Sequence, residues 1–422
     1  MNQAQTKTKN RIIRRIDKIE ALSPEERERL QDVVGRYIFR ANEYYLNLID
    51  WADPDDPIRK IIIPREEELA DFGRLDASDE AANYAVPHLQ HKYHNTALLM
   101  VSEVCGAYCR FCFRKRLFMD EVHETSLDIS PGVEYIRKHP EIDNVLMTGG
   151  DPLMVSPRRL GEMFAQLFEI PHVKIIRLGT KIPAFDPFRI SESPKLLELV
   201  RKYSRGDRQI YFIAHFNHPR ELTPASEAAL GAVREAGGLM VVQTPLLAGV
   251  NDDPRLLAEL MNRVSHLGAT PYYLFQGRPT EGNIGFTVPL ARGYRIFEQA
   301  KVKMGGLARR LRYVMSHAAG KVEVLGITPQ TAFLKFHQAR NGNNLGKVFT
   351  LPMVKSAVWL DDLLEQPGAR DALVQQGVRV APTGRLWTEW LRSGWRAPDK
   401  NRRLAAGDEL EDARRWGPDA MA

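Results

Sequence analysis

The chain holds three cysteines in 422 residues, and all of them fall within CGAYCRFCFRKR, as Cys105, Cys109 and Cys112. A Cx3Cx2C loop can turn three thiolates inward upon one centre. Three soft ligands without a nearby fourth cysteine suit an iron–sulfur cluster with one open iron better than a closed zinc site. His91 and His94 could complete a zinc site in principle, but they precede the strand that leads into the loop and belong at its far end. Three thiols cannot all pair, and at this spacing they cannot staple a fold. They point instead to a metal centre in a reducing, cytoplasmic compartment.

The loop follows an apolar run, ALLMVSEV from Ala97, which is the first of six. NVLMTGG (from Asn144), KIIRLGT (Lys174), IYFIAHF (Ile210), LMVVQTPL (Leu239) and TPYYLFQG (Thr270) continue the series. Short continuous apolar runs of this kind read as buried parallel strands. Helical patterns lie between them, from GVEYIRKHP to PRLLAELMNRVSHLG, several opening on Pro or Ser/Thr and closing near Gly or Pro. Strand and helix alternating at about thirty-residue spacing imply right-handed βαβ units. Six units fall short of the eight of a closed barrel. The expected fold class is therefore α/β, a partial, open, about six-stranded parallel βα barrel, with a flat doubly wound sheet as competitor. Either arrangement puts chemistry at the C-terminal ends of the strands, where the cysteines lie.

This core spans residues 91–325. Residues 1–90 read as a helical N-terminal extension, with SPEERERLQDVVGRYI a capped amphipathic helix. Residues 326–422 read as an irregular C-terminal extension with a peripheral or partly disordered tail. The composition, 44% hydrophobic and 27% charged, is that of a soluble globular protein. No apolar run is long enough to span a membrane, and the basic N-terminus lacks the apolar core and cleavage site of a secretory signal. A net charge of +6, with the densest basic runs near the termini, does not make the concentrated stripe that nucleic-acid binding needs.

Cx3Cx2C after a first strand, with an aromatic before the last cysteine, resembles the signature of the radical S-adenosylmethionine (SAM) superfamily. The resemblance implies that Cys105, Cys109 and Cys112 hold a [4Fe–4S] cluster whose fourth iron chelates SAM. Reductive cleavage then yields a 5′-deoxyadenosyl radical, with an electron donor such as flavodoxin or ferredoxin. MTGGDPL places Gly149, Gly150 and Asp151 where that superfamily carries its glycine-rich contact to the SAM amino group. CGAYCRFCFRKR, TGGDPL, IRLGTKIP, AHFNHPREL, QTPLLAGVNDD and PYYLFQG together are similar, in order, to the lysine 2,3-aminomutase family.

Membership in that family implies a second cofactor, pyridoxal phosphate (PLP). Lys321, in SHAAGKVEVLG, stands where the family carries its Schiff-base lysine, although the run before it is Ala-Ala-Gly after His317 and not consecutive glycines. Lys92 stands where the family has an arginine for the PLP phosphate, and Tyr93 matches an aromatic beside the cofactor. Arg114 matches the arginine that pairs with the substrate carboxylate, a task suited to a guanidinium fork. His215, Asn217 and Gln243 are candidate contacts to SAM or PLP.

The substrate pattern departs from the family. Its lysine-binding members carry two aspartates for the far ammonium; here one position is Arg278 and the other lies near Ser316, with no acid. Exchanging an anion for a cation reverses the preference of a pocket. The expectation is a small amino acid other than lysine, with a glutamate-like side chain suited to Arg278. An alternative is a radical SAM aminomutase acting on a lysine of a protein such as a translation elongation factor. A non-enzymatic iron–sulfur module would leave the glycine turn and Lys321 without a task. The cysteine-bearing C-terminal assembly of some members is not carried over, and the oligomeric state stays open.

Overall fold

The apolar runs become strands of one sheet in the computed structural model, which describes residues 10–119 and 124–380. Two short strands, β1 (Ile12–Ile13) and β2 (Ala41–Asn42), pair only with each other. The remaining strands run in sheet order as in sequence. β3 (Tyr84–Val86) and β4 (Leu89–Tyr93) form an antiparallel lead-in. Seven parallel strands follow: β5 (Thr96–Ser102), β6 (Asn144–Gly149), β7 (Ile175–Thr180), β8 (Gln209–His215), β9 (Leu239–Leu246), β10 (Thr270–Gln276) and β11 (Arg312–His317). β12 (Gly320–Ile327), β13 (Thr331–Ala339) and β14 (Val348–Pro352) return antiparallel.

Helices cross over between consecutive parallel strands. Pro157–Phe168, Pro224–Glu235 and Pro254–His266 each begin with Pro after a Ser, Thr or Asp whose side chain accepts a backbone N–H. Those caps satisfy donors that a helix start leaves open, and they fix where each strand hands over to its helix. The strands are not buried alike on both faces. Along β7, Ile176 and Leu178 are sealed under the helices, while Arg177 and Gly179 keep some accessible surface toward the interior of the sheet. Period-two alternation thus divides a continuous apolar run into a packing face and a cavity face.

The sheet curls strongly. Lys92 on β4 donates from Nζ to the carbonyl of His317 on β11 at 2.6 Å, although six strands separate them in hydrogen-bonded order. Lys321 on β12 lies with Nζ 4.5 Å from the Tyr93 ring. The two ends of an open sheet are therefore brought face to face around a central space.

The N-terminal extension builds its own core. Ile16, Leu22, Val33, Tyr45, Ile58 and Ile62 pack there with Ala107 and Phe111 of the cysteine loop. The helix expected over SPEERERLQDVVGRYI is two short ones, Pro24–Arg29 and Gln31–Arg36. The first has the Ser23–Glu26 capping box, and they part at Leu30, whose amide is shared by two carbonyls while its side chain is buried. The segment after residue 326 is more regular than expected. TAFLKFHQA alternates, with Ala332, Leu334 and Phe336 buried and Phe333 exposed, which is why it pairs as β13. The predicted peripheral tail beyond residue 380 lies outside the described residues.

Candidate active site

A cavity of about 340 Å³ fills the curl, a size within the range of roughly 300–1,000 Å³ usual for cofactor and ligand sites. Every residue proposed above as catalytic, cofactor-binding, substrate-binding or metal-binding lines it, except Asn217. Lys92 and Tyr93 enter from β4, the cysteines from the loop after β5, and Gly149–Asp151 from the end of β6. His215 enters from β8, Gln243 from β9, Arg278 from the loop after β10 and Lys321 from β12.

The N-terminal extension grips the cysteine loop. Arg40 donates from Nε to the Cys105 carbonyl at 2.8 Å, and Asn42 donates to the Gly106 carbonyl at 3.2 Å. The amides of Tyr108 and Arg110 donate to the carbonyls of Arg40 and Ile61. Cys105, Cys109 and Cys112 carry free thiols, each keeping some accessible surface. Burial pushes all three thiols up, and for Cys105 the neighbouring Asp151 and the other two sulfurs push the same way. Three thiols this reluctant to ionise alone are a donor set that a bound cationic centre would convert to thiolates. Among the described residues, no three His, Cys, Asp or Glu side chains are gathered closely enough to hold a single ion.

The turn after β6 depends on its glycines. Gly149 has φ of 119°, and a Cβ there would lie 2.6 Å from the Ser102 carbonyl oxygen; at Gly150 it would lie 2.5 Å from that of Val104. Both positions press the turn against the backbone that leads into the cysteine loop. Asp151 is spent inside the protein, since its carboxylate accepts from Thr180 Oγ1, the Lys181 amide and the Leu153 amide. Burial raises its pKa to about 6 against those hydrogen bonds. It pins the β6 turn to the end of β7.

His215 sits with its ring edge-on to Phe111, and burial together with Lys181 keeps it well below the usual imidazole range. Asn217, outside the cavity wall, accepts from Lys181 Nζ at 2.7 Å within a buried network that includes Glu221. Its task is packing the β8 end.

At the opposite end, Lys321 Nζ donates to Gln338 Oε1 at 2.6 Å, between the rings of Tyr93 and Tyr273. Burial first, then Arg177, Lys92 and Arg278, drives its pKa well below the ordinary lysine value. An amine whose charged form is disfavoured in this way is the more readily a nucleophile. Burial first, then Arg278 and Arg340, lower Lys92 to about 7 against the pull of Glu80 and Asp76.

The cavity wall is cationic. Lys92, Arg114, Arg177, Lys181, Arg278 and Lys321 face it, against only Glu80 and Asp151 among the carboxylates that line it. Arg114 is engaged along one edge by Glu80, with Nε and Nη2 donating at 2.9 and 2.7 Å. Arg278 points inward and lies 3.7 Å from the centre of the Phe113 ring. Its Nη1 is buried with no hydrogen-bond partner among the described residues. Arg177 Nε is likewise unpartnered.

Sequence reasoning missed Arg177, Glu80, Tyr273 and Gln338. A lone arginine inside KIIRLGT was a readable signal, because a charge in a buried strand needs a partner or a ligand. Glu80 gave none, standing in the polar stretch DASDEAAN.

No family model matches the chain. Among curated proteins it is 47% identical over 348 residues to one named "Putative L-lysine 2,3-aminomutase" from Aquifex aeolicus, spanning 82% of this chain and 93% of that one. It is 36% identical to the L-lysine 2,3-aminomutase of Clostridium subterminale over 69% of this chain and 70% of that one. With the glutamate 2,3-aminomutase of Clostridioides difficile it shares 32% identity over 69% of this chain and 68% of that one. Among solved structures, a radical SAM methyltransferase from Sphaerobacter thermophilus aligns at 18% identity over 54% of this chain and 68% of that one. Its TM-score of 0.37 is too slight to carry an argument. Matched over nearly the whole length of the first of these relatives, and holding the Cx3Cx2C loop, the glycine turn and Lys321 in one cavity, the chain belongs to the lysine 2,3-aminomutase family of radical SAM isomerases.

Proposed function

We propose that the protein is a PLP-dependent 2,3-aminomutase whose substrate is a small α-amino acid with an anionic side chain. The observation that carries the substrate is Arg278, a cation stacked in the cavity with an unpartnered buried N–H. Most of the relatives bear the name lysine 2,3-aminomutase, yet a lysine ammonium brought to Arg278 would meet a like charge with little water to screen it. A carboxylate would meet an N–H donor that has no hydrogen-bond partner among the described residues.

The residues fit the groups that the chemistry requires. Three thiols on one wall suit an iron–sulfur cluster, and a lysine amine disfavoured as a cation among cations and aromatic rings suits a flat, anionic carbonyl cofactor. When bound, the cluster with SAM supplies a hydrogen-abstracting carbon radical, and PLP supplies the conjugated system through which an amino group migrates from C2 to C3. The chain itself binds, orients and excludes water. Lys321 presents its Nζ, disfavoured as a cation and held in place by Gln338. Tyr93 and Tyr273 supply flat faces on either side of that amine. Arg177 and Lys92 set the positive potential of that end. The curled sheet keeps a reactive radical from solvent.

Anaerobic reconstitution tests this reading. The expected results are a broad absorbance near about 400 nm from a thiolate-ligated cluster, and conversion of an acidic α-amino acid to its β-isomer with SAM, PLP and dithionite. A reconstituted protein that isomerises free lysine and no acidic amino acid would refute the substrate assignment.

A further inference from the structure

Arg114 still has donors to offer. A guanidinium carries five N–H groups. Glu80 accepts from Nε and Nη2, and Thr148 Oγ1 accepts from Nη1 at 3.1 Å. By count, one N–H remains on each of Nη1 and Nη2, and the side chain lines the cavity.

Glu80 is braced from behind. Its Oε2 also accepts from Arg116 Nη2 at 2.8 Å, and Arg116 in turn donates to Glu124 at 2.8 and 3.0 Å. Burial alone would raise the Glu80 carboxyl, but Arg114 and Arg116 draw it well below the ordinary carboxylate range. The Phe113 ring lies against both guanidinium groups, 4.9 Å from that of Arg114 and 3.7 Å from that of Arg278. Two cations thus share one ring, one of them clamped and the other with a buried Nη1 that has no hydrogen-bond partner among the described residues.

We infer that Glu80 is a positioning residue for substrate recognition: it locks the Nε edge of Arg114 so that the two remaining N–H groups are held toward the cavity for the α-carboxylate of an amino acid. Arg278, stacked on Phe113, is then left for an anionic side chain. This role rests on the function proposed above and divides the anchoring of a dicarboxylic substrate between two arginines. A bidentate partner fixes the guanidinium plane in advance, so less freedom is lost when the substrate arrives.

The test is a titration of the holoenzyme, loaded with cluster, SAM and PLP, following the change in cofactor absorbance as L-glutamate or L-alanine is added. Glu80→Gln is expected to raise the half-saturating concentration at least tenfold for both amino acids, and Glu80→Asp to recover part of that loss. Arg278→Gln is expected to raise it for glutamate and leave alanine unchanged. In an Arg114→Lys background, Glu80→Gln should add less than twofold, whereas a general loss of structure would add its full effect. The role is overturned if Glu80→Gln keeps wild-type half-saturation, or if its effect is undiminished in the Arg114→Lys background. Should Glu80→Gln fail to load cofactors, Glu80→Asp decides: a rise of threefold or more supports the role, and wild-type half-saturation overturns it. Wild-type holoenzyme that responds to no amino acid overturns the proposed function itself, and the role with it.

Discussion

Burial and the nearby cations Arg177, Lys92 and Arg278 all oppose protonation of the Lys321 amine and draw its pKa well below the ordinary lysine value. Lys321→Ala should abolish a borohydride-reducible PLP adduct, read by mass spectrometry; retention of the adduct would place it on another lysine. Lys92 allows a test of sign. Its folded pKa of about 7 lies below that of an unfolded lysine, so the unfolded chain binds more protons between those two values. Stability of the apo-protein should therefore rise with pH from about 7 toward about 10.5, by up to roughly 1.4 kcal/mol per pH unit from this group. Chemical denaturation across that window should show a rise in wild type that is shallower in Lys92→Met, where the shares of Lys321 and Lys115 remain; an equal slope in both would contradict the depressed Lys92 pKa. At this scale the sequence was legible wherever residue type implies chemistry, as with three clustered cysteines. Arg177 and Arg278 were legible only as charges, because whether a charge is paired depends on neighbours from distant strands.

The cysteine loop takes its shape from an element far from it in sequence. Arg110 is bound by Glu68 through Nε at 2.9 Å and Nη2 at 2.8 Å, and Lys115 approaches the same carboxylate at 3.5 Å, all nearly without exposure. Removing one partner of such a buried pair costs roughly 3–5 kcal/mol. Glu68→Gln should accordingly lower the unfolding free energy of the apo-protein by several kcal/mol and speed loss of the reconstituted cluster to a chelator, read by denaturant midpoint and visible absorbance. An unchanged midpoint would show that the extension does not clamp the loop. The cations of CGAYCRFCFRKR had no assigned partners in the sequence, since Glu68 and Glu80 stand 42 and 34 residues away from Arg110 and Arg114. The loop and its helices were readable from local pattern; its clamps were long-range.

Across the whole molecule, the cavity exists because the sheet curls far enough to bring β12 onto β4. The βα beat revealed six of the seven parallel strands. The seventh, β11, follows one more helical crossover, Leu290–Val302, and was not read, while the antiparallel β12–β14 were hidden by a change from helical crossovers to hairpins, although the alternation in TAFLKFHQA marked one of them. That late segment carries Lys321, while the early extension carries Glu80 and β4 carries Lys92, so the cavity wall draws on widely separated parts of the chain. Arg278→Asp should exchange the cavity's preference, weakening acidic amino acids at least a hundredfold and admitting lysine, as measured by isomerisation rates. The most direct measurement is competition between C3-deuterated L-glutamate and C3-deuterated L-lysine in wild-type holoenzyme with SAM and dithionite, following label into 5′-deoxyadenosine. Label from glutamate with little from lysine is the expected result; label from lysine and none from glutamate would contradict an anion-binding role for Arg278.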